Sequence, residues 1–305
     1  MEKLSFNPVI NNDMEKNTKQ LIQELSQDKT VLRVFQKNEI SKECLERYPW
    51  KIQRWLNSFR PCQGCKGLSF CKQSRKGYFE NLVYDGILQT VQEACRYEKD
   101  RQNARAHIRN YLVSDLSSHL ETVSFKNIST KDETEEYLQV LAEAMDASAK
   151  GEGLYIYGTM GSGKTYLSAC ACNDHARSGQ KVAFIHYPSF CQRMQSSMQD
   201  GEYKSEIARL SFAAFLVIDD IGAESVTEWN RDSILLPLLN ERFEEGLPTW
   251  FTSNDDYESL LVHFTFSNRG KQEELKATRI LERIQAMSRP VVLTGKDRRN
   301  ILSNR

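Results

Sequence analysis

The sequence predicts an α/β protein: a parallel five-stranded sheet with helices on both faces, preceded by a small, mainly helical, zinc-binding domain. Three observations carry this expectation. From Glu133 onward, short apolar runs alternate with helix-period segments, the pattern of a layered sheet covered on both sides. One of those runs, Leu154–Tyr157, opens directly into a glycine-rich turn and a helix. Upstream, Cys62, Cys65, Cys71 and Cys95 fall within 34 residues.

Composition narrows the classes. A chain of 305 residues is long enough for two domains. Lys+Arg and Asp+Glu both number 41, so a general nucleic-acid coat is excluded and any DNA contact must come from a local patch. No apolar run approaches the roughly 18–20 residues that span a bilayer, and the first residues carry no signal-peptide core. The expectation is a cytoplasmic protein without a membrane partner, whose eight cysteines are reduced, metal-bound or buried.

Apolar positions at Met14, Leu21, Ile22 and Leu25 predict a first helix. A second follows Ser41 and stops near Pro49, and a third places Ile52, Trp55, Leu56 and Phe59 on one face. Cys62 and Cys65 then form a C-x₂-C pair, the turn that sets two thiolates on one tetrahedral metal. With Cys71 and Cys95 they are consistent with a closed Cys₄ Zn²⁺ site that supports folding, with His107 as an alternative fourth ligand. Cys44, Cys170, Cys172 and Cys191 lie in helical or apolar surroundings and read as small buried side chains. The charged stretch 96–109 reads as a connector. This gives a first domain at 1–96, a linker at 97–115 and a second domain at 116–305, whose strands are 154–157, 182–186, 215–218, 249–252 and 291–293.

Residues 158–165, GTMGSGKT, fit the phosphate-loop pattern G-x-x-x-x-G-K-[ST] between a strand and a helix. Gly158, Gly161 and Gly163 let backbone amides converge on phosphate oxygens where a side chain would clash, and Ser162 and Tyr166 complete the phosphate-facing stretch. Lys164 supplies a point charge to the β- and γ-phosphates, and the Thr165 hydroxyl suits Mg²⁺. The run FLVI ends in Asp219 and Asp220. The first acid would complete the Mg²⁺ shell, and the second would orient or deprotonate the attacking water. TWFTSN is another strand, ending in Asn254, which can hydrogen-bond the γ-phosphate or the water. Arg279 and Arg283 lie one helical turn apart, and Arg298 and Arg299 follow a later strand; arginines of this kind suit phosphate oxygens across a subunit boundary.

YIYGTMGSGKT, FLVIDDIGAES, TWFTSN and RILERI, in this order, resemble the AAA+ ATPase module of the DnaC/DnaI-type replicative helicase loaders. The N-terminal cysteine module is similar to that of the Gram-positive branch of the family. The resemblance assigns Lys164 and Thr165 to Walker A, Asp219 and Asp220 to Walker B, Asn254 to sensor 1, Arg283 to the arginine finger and Arg298 to sensor 2. Asp220 stands where most AAA+ members have Glu, which implies slow, switch-like ATP hydrolysis. The implied function is ATP-dependent loading of the hexameric replicative helicase onto single-stranded DNA in primosome assembly, with other primosome proteins as partners. The zinc module would dock on the helicase, the ATPase modules would self-associate, and segment 188–210 would meet single-stranded DNA through Phe190, Arg193 and Lys204. Two other classes compete. A transposase-helper ATPase shares the module but is opposed by the cysteines and the neutral charge. A zinc adaptor with a vestigial nucleotide site is opposed by the intact Lys164, Asp219 and Arg283 set.

Overall fold

The structure, a computed structural model, describes residues 12–131, 133–197, 203–266 and 273–298. It divides into two compact units, Met1–Asn103 and Ala104–Arg305.

In the first unit, the helices Asn12–Gln27, Lys29–Lys37, Glu43–Arg47 and Pro49–Phe59 bury Leu25, Val31, Ile52, Trp55 and Leu56 in a core of their own. Asp28 caps the second helix, accepting from the amides of Thr30 at 2.7 Å and Val31 at 3.1 Å. A hairpin then follows, β1 (Tyr78–Asp85) and β2 (Ile87–Ala94), turning at Gly86. Only Leu82 and Leu88 of the hairpin reach the helical core, while Trp55 Nε1 donates to Glu80 O at 2.9 Å. The sequence predicts neither the hairpin nor the helix Lys29–Lys37. Most of β2 is exposed and polar, so no periodic apolar signal marks it.

The second unit is built on a six-stranded sheet of β3 (Tyr111–Ser114), β4 (Leu154–Tyr157), β5 (Val182–His186), β6 (Phe215–Asp219), β7 (Thr249–Ser253) and β8 (Arg289–Val292). Its order is β3-β5-β6-β7-β4-β8, and every pairing is parallel. Five strands were expected. The sixth, β3, lies inside the stretch read as linker, which otherwise holds the helix Arg96–Arg105 and a turn of 3₁₀ helix at Ala106–Asn110.

Successive residues of the central strands serve opposite faces. Leu154, Ile156, Phe184, Val217 and Trp250 pack under the helices Glu135–Lys150 and Lys164–Arg177. Tyr155, Ile185, Ile218 and Phe251 pack beneath the later helices, among them Leu236–Glu244 and Glu274–Met287. Strands covered on both sides read as continuous apolar runs. Arg242, fully buried, is a polar tie on the second face. Its guanidinium donates to Leu210 O at 2.7 Å, Ala213 O at 2.8 Å, Pro248 O at 2.8 Å and Thr249 Oγ1 at 2.9 Å. Burial pulls its pKa down to about 9, which leaves it protonated at neutral pH. Among the described residues no helix is long and apolar enough to cross a membrane. Cys44, Cys170, Cys172 and Cys191 are all buried free thiols.

Candidate nucleotide site

Ligand crevices in parallel sheets form beyond the C-terminal strand ends, where successive connections leave in opposite directions. Here that point is β4. The chain leaves it for β5, three places along the sheet, and later returns from β7 to β8 on its other side. The strand order also inserts β7 between β4 and β6, which sets the end of β7 between the phosphate loop and the acidic strand.

The loop itself needs its glycines. Gly158 and Gly161 have φ of +134° and +80°, and a Cβ would lie 2.3 Å from Leu293 O at the first and 2.3 Å from Asp297 Oδ1 at the second. Gly163 is the last residue before the helix Lys164–Arg177, so the helix N-terminus opens onto the loop. Lys164 Nζ donates to Gly158 O, Thr159 O and Asn254 Oδ1, each at 2.9 Å.

Asp219 ends β6 almost fully buried. Its Oδ1 accepts from Thr165 Oγ1 at 2.9 Å and from Thr252 Oγ1 at 2.6 Å. Burial raises its pKa, the two hydroxyls lower it, and the neighbouring Asp220 raises it further. Asp220 adopts φ +61°, in the left-handed region that non-glycine residues rarely occupy. Its amide donates to Thr252 Oγ1 at 2.9 Å. One carboxylate oxygen accepts from Asn254 Nδ2 at 3.4 Å, and the other lies 3.7 Å from His186 Nε2. His186 is in turn fixed through Nδ1 and Ser189 Oγ, 2.8 Å apart.

These groups face a cleft of about 610 Å³, large enough for a nucleotide. Gly161, Gly163, Lys164, Thr165 and Tyr166 line it from the loop and helix, and Asp219, Asp220 and Asn254 from the strand ends. Arg298 closes one side. It stacks 3.7 Å over the Tyr137 ring, pairs with Glu133, and donates from Nε to Ser162 O at 3.1 Å. Gly158 and Ser162 belong to the loop without lining the cleft. The glycine cradle, the Thr165–Asp219 pair and the cationic Lys164 fit a magnesium nucleoside triphosphate. Thr252, His186, Tyr137 and Glu133 were missed. Thr252 and His186 sit at or next to the C-terminal ends of β7 and β5, and that position was the available signal.

Other expectations fare differently. Arg283 does not line the cleft; its Nε donates to Asn240 Oδ1 at 2.7 Å and its guanidinium stacks 4.7 Å over Phe243. Phe190 cannot stack on a base, because it is wholly buried in the sheet's core. Its helix turns the apolar face inward and leaves Arg193 bridging Asp115 and Glu206. Lys204 is exposed, while 198–202 of that candidate segment and Arg299 lie outside the described residues. His107 does not join the cysteines: its Nε2 is engaged by Glu121 O at 2.9 Å and Asn173 Oδ1 at 3.1 Å. Among the described residues no group of three or more His, Cys, Asp or Glu is arranged to hold a metal ion. The Cys₄ site expected from the spacing is therefore not shown. The sulfurs have individual polar partners: Gln73 Nε2 donates to Cys62 Sγ at 3.1 Å, the Gly77 amide to Cys71 Sγ at 3.4 Å, and Cys65 Sγ to Gly67 O at 3.5 Å.

Comparison with known proteins places this geometry. A family model described as IstB-like ATP binding protein matches residues 67–301. The chain belongs to that family. As an IstB-like protein it is 28% identical over 299 residues to the replicative helicase loader DnaI of Bacillus subtilis (strain 168), covering 94% of this chain and 95% of that one. It is also 25% identical over 158 residues to the replicative helicase loader DnaC of Escherichia coli (strain K12), covering 50% of this chain and 63% of that one. A crystal structure of DnaI superposes with a TM-score of 0.53 at 28% identity, over 61% of this chain and 98% of that one. The fold is thus the AAA+ phosphate-loop module, and the IstB-like chain binds ATP.

Asp219 holds a proton more readily in the folded chain than at its ordinary value of 3.8. Stability therefore falls as pH rises from that value through the raised one, and above it the cost of a buried charge is fully present. Asp219→Asn should raise the melting temperature of the nucleotide-free protein near neutral pH. The thermal gain should shrink as the pH is lowered. A melting temperature that is unchanged or lower near neutral pH would contradict the burial argument.

Proposed function

We propose that the chain is an ATP-dependent loader of the hexameric replicative helicase onto single-stranded DNA. The observation that carries this is similarity to a replicative helicase loader along nearly the whole of both chains. The transposase-helper reading, which the IstB-like family admits, lacks support of that extent over the cysteine-bearing N-terminal unit.

The chain's own residues would work as follows. Backbone amides of the loop and Lys164 Nζ receive the phosphates, the lysine giving up its contacts to Gly158 O and Thr159 O. Thr165 and Asp219 would hold Mg²⁺, which neutralises charge developing on the phosphoryl oxygens. Asp220, held between Asn254 and His186, orients the water and takes its proton. Its side chain is one methylene shorter than the usual Glu and its backbone is constrained, which supports slow hydrolysis suited to a switch. Arg298 flanks the phosphate loop from its stack on Tyr137. Arg283, outside its own cleft, would serve a neighbouring copy as arginine finger.

The first unit would dock on the helicase and bind zinc through Cys62, Cys65, Cys71 and Cys95. Two features support the metal. Burial raises the Cys62 thiol pKa, and the other three cysteines each raise it further, so the four sulfurs share one neighbourhood. N–H groups already point at Cys62 and Cys71, as they do at metal thiolates.

Light scattering on the protein mixed with the replicative helicase of the same cell should show a stable large complex. Bound zinc should be measurable, and its chelation should dissolve the complex. A protein that holds zinc yet forms no complex in any nucleotide state would overturn the loader reading. For the finger, Lys164→Ala and Arg283→Ala should each cut hydrolysis at least about 100-fold, and mixing the two variants should recover activity. Failure to recover on mixing would place Arg283 outside the reaction.

A further inference from the structure

The chain is neutral overall, yet residues 60–79 hold Arg60, Lys66, Lys72, Arg75 and Lys76 and no Asp or Glu. All five side chains are exposed, and among the described residues none is held in an ion pair. Phe70 stands among them 66% exposed. The ring does not enter the helical core of the same unit.

The segment is drawn into one knot. Gln73 reaches Cys62, the Gly77 amide reaches Cys71, the Cys95 amide donates to Gly77 O at 2.8 Å, and Tyr97 OH donates to Cys65 O at 2.9 Å. The chain stretches that carry Lys66, Lys72 to Lys76 and Arg96 are therefore tied to one hydrogen-bonded support. Two of the arginines are already stacked, Arg75 at 3.8 Å over Tyr78 and Arg96 at 4.5 Å over Tyr97. A stacked guanidinium keeps its other planar face for a second ring. Glu98, whose carboxylate feels Arg75, is 3% exposed and taken up by Arg101 at 2.8 Å.

We propose that this knot is a binding surface for single-stranded nucleic acid, separate from the ATPase unit. Phosphates pair with Lys66, Lys72, Arg75 and Lys76, and an unstacked base lies on Phe70. Positive charge alone would suit any polyanion. The exposed ring and the planar arginines favour a strand whose bases are free to stack, which excludes a duplex. The loader reading assigns no DNA contact to this unit, and the surface would let it touch the strand on which a helicase is placed.

The test uses the full-length protein without nucleotide and a fluorescent oligothymidylate of roughly 20 nucleotides, followed by anisotropy over a salt series. Phe70→Ala should weaken binding about five- to tenfold with the salt slope unchanged. The triple variant Lys72→Glu, Arg75→Glu, Lys76→Glu should weaken it more than tenfold and lower the salt slope by about 2, from roughly 0.7 per phosphate lost. Both variants should keep the parent's melting temperature and ATPase activity. Parent-like affinity in both would overturn the proposal. So would parent-like DNA binding with loss of the helicase complex, which would make the patch a protein-docking surface. Equal competition by a duplex of the same length would also overturn it. The helicase complex, measured on the same variants, tests the loader reading separately.

Discussion

Thr252 uses one buried hydroxyl twice. It donates to the Asp219 carboxylate and accepts the amide of Asp220, so a single β7 side chain fixes both acids at the end of β6. The same carboxylate oxygen receives Thr165 from the phosphate loop. Two strand ends and a helix N-terminus are thereby registered to one another within hydrogen-bond distance. The left-handed backbone at Asp220 persists because these contacts over-determine it. What makes the arrangement possible is the strand order, with β7 inserted between β6 and β4. In any order that paired β6 directly with β4, neither Thr252 nor Asn254 would stand between lysine and acid.

The site is held in a sensitive state. Lys164 is occupied by carbonyls of its own loop and by Asn254, and Asn254 also donates to Asp220. Arrival of a phosphate would have to redirect the lysine, and that would release Asn254 Oδ1 from its contact with Nζ. A nucleotide would thus change the environment of Asp220 through the end of β7 without moving the sheet. This is the physical basis of the switch-like behaviour proposed above.

Much of the second unit was legible in the sequence because its strands are buried on both faces. Leu154–Tyr157 and Val182–His186 were bounded as the structure has them, and the glycine-lysine loop fell between strand and helix. Strand β3 was not legible: it is short, edge-placed and only half-buried, and follows a highly charged helix. The hairpin Tyr78–Ala94 escaped for a related reason, since only two of its side chains enter the core. In the cleft, Lys164, Thr165, Asp219, Asp220 and Asn254 came from motifs. Thr252, His186 and Tyr137 act through tertiary juxtaposition, which a linear pattern does not carry. Phe190 suggests a stacking platform in sequence because it is an aromatic near basic residues, but the structure buries it. Helix periodicity at Tyr187, Phe190, Cys191 and Met194, all buried, would have argued for the core.

Loading itself is the most direct measure of the account. Helicase retained on closed circular single-stranded DNA can be counted after the free ring and this protein have been washed away. With the parent protein and ATP, retained helicase should rise well above the level reached by helicase alone, and Lys164→Ala should return it to that level. Equal retention with the parent, with Lys164→Ala and with no added protein would contradict the loader account.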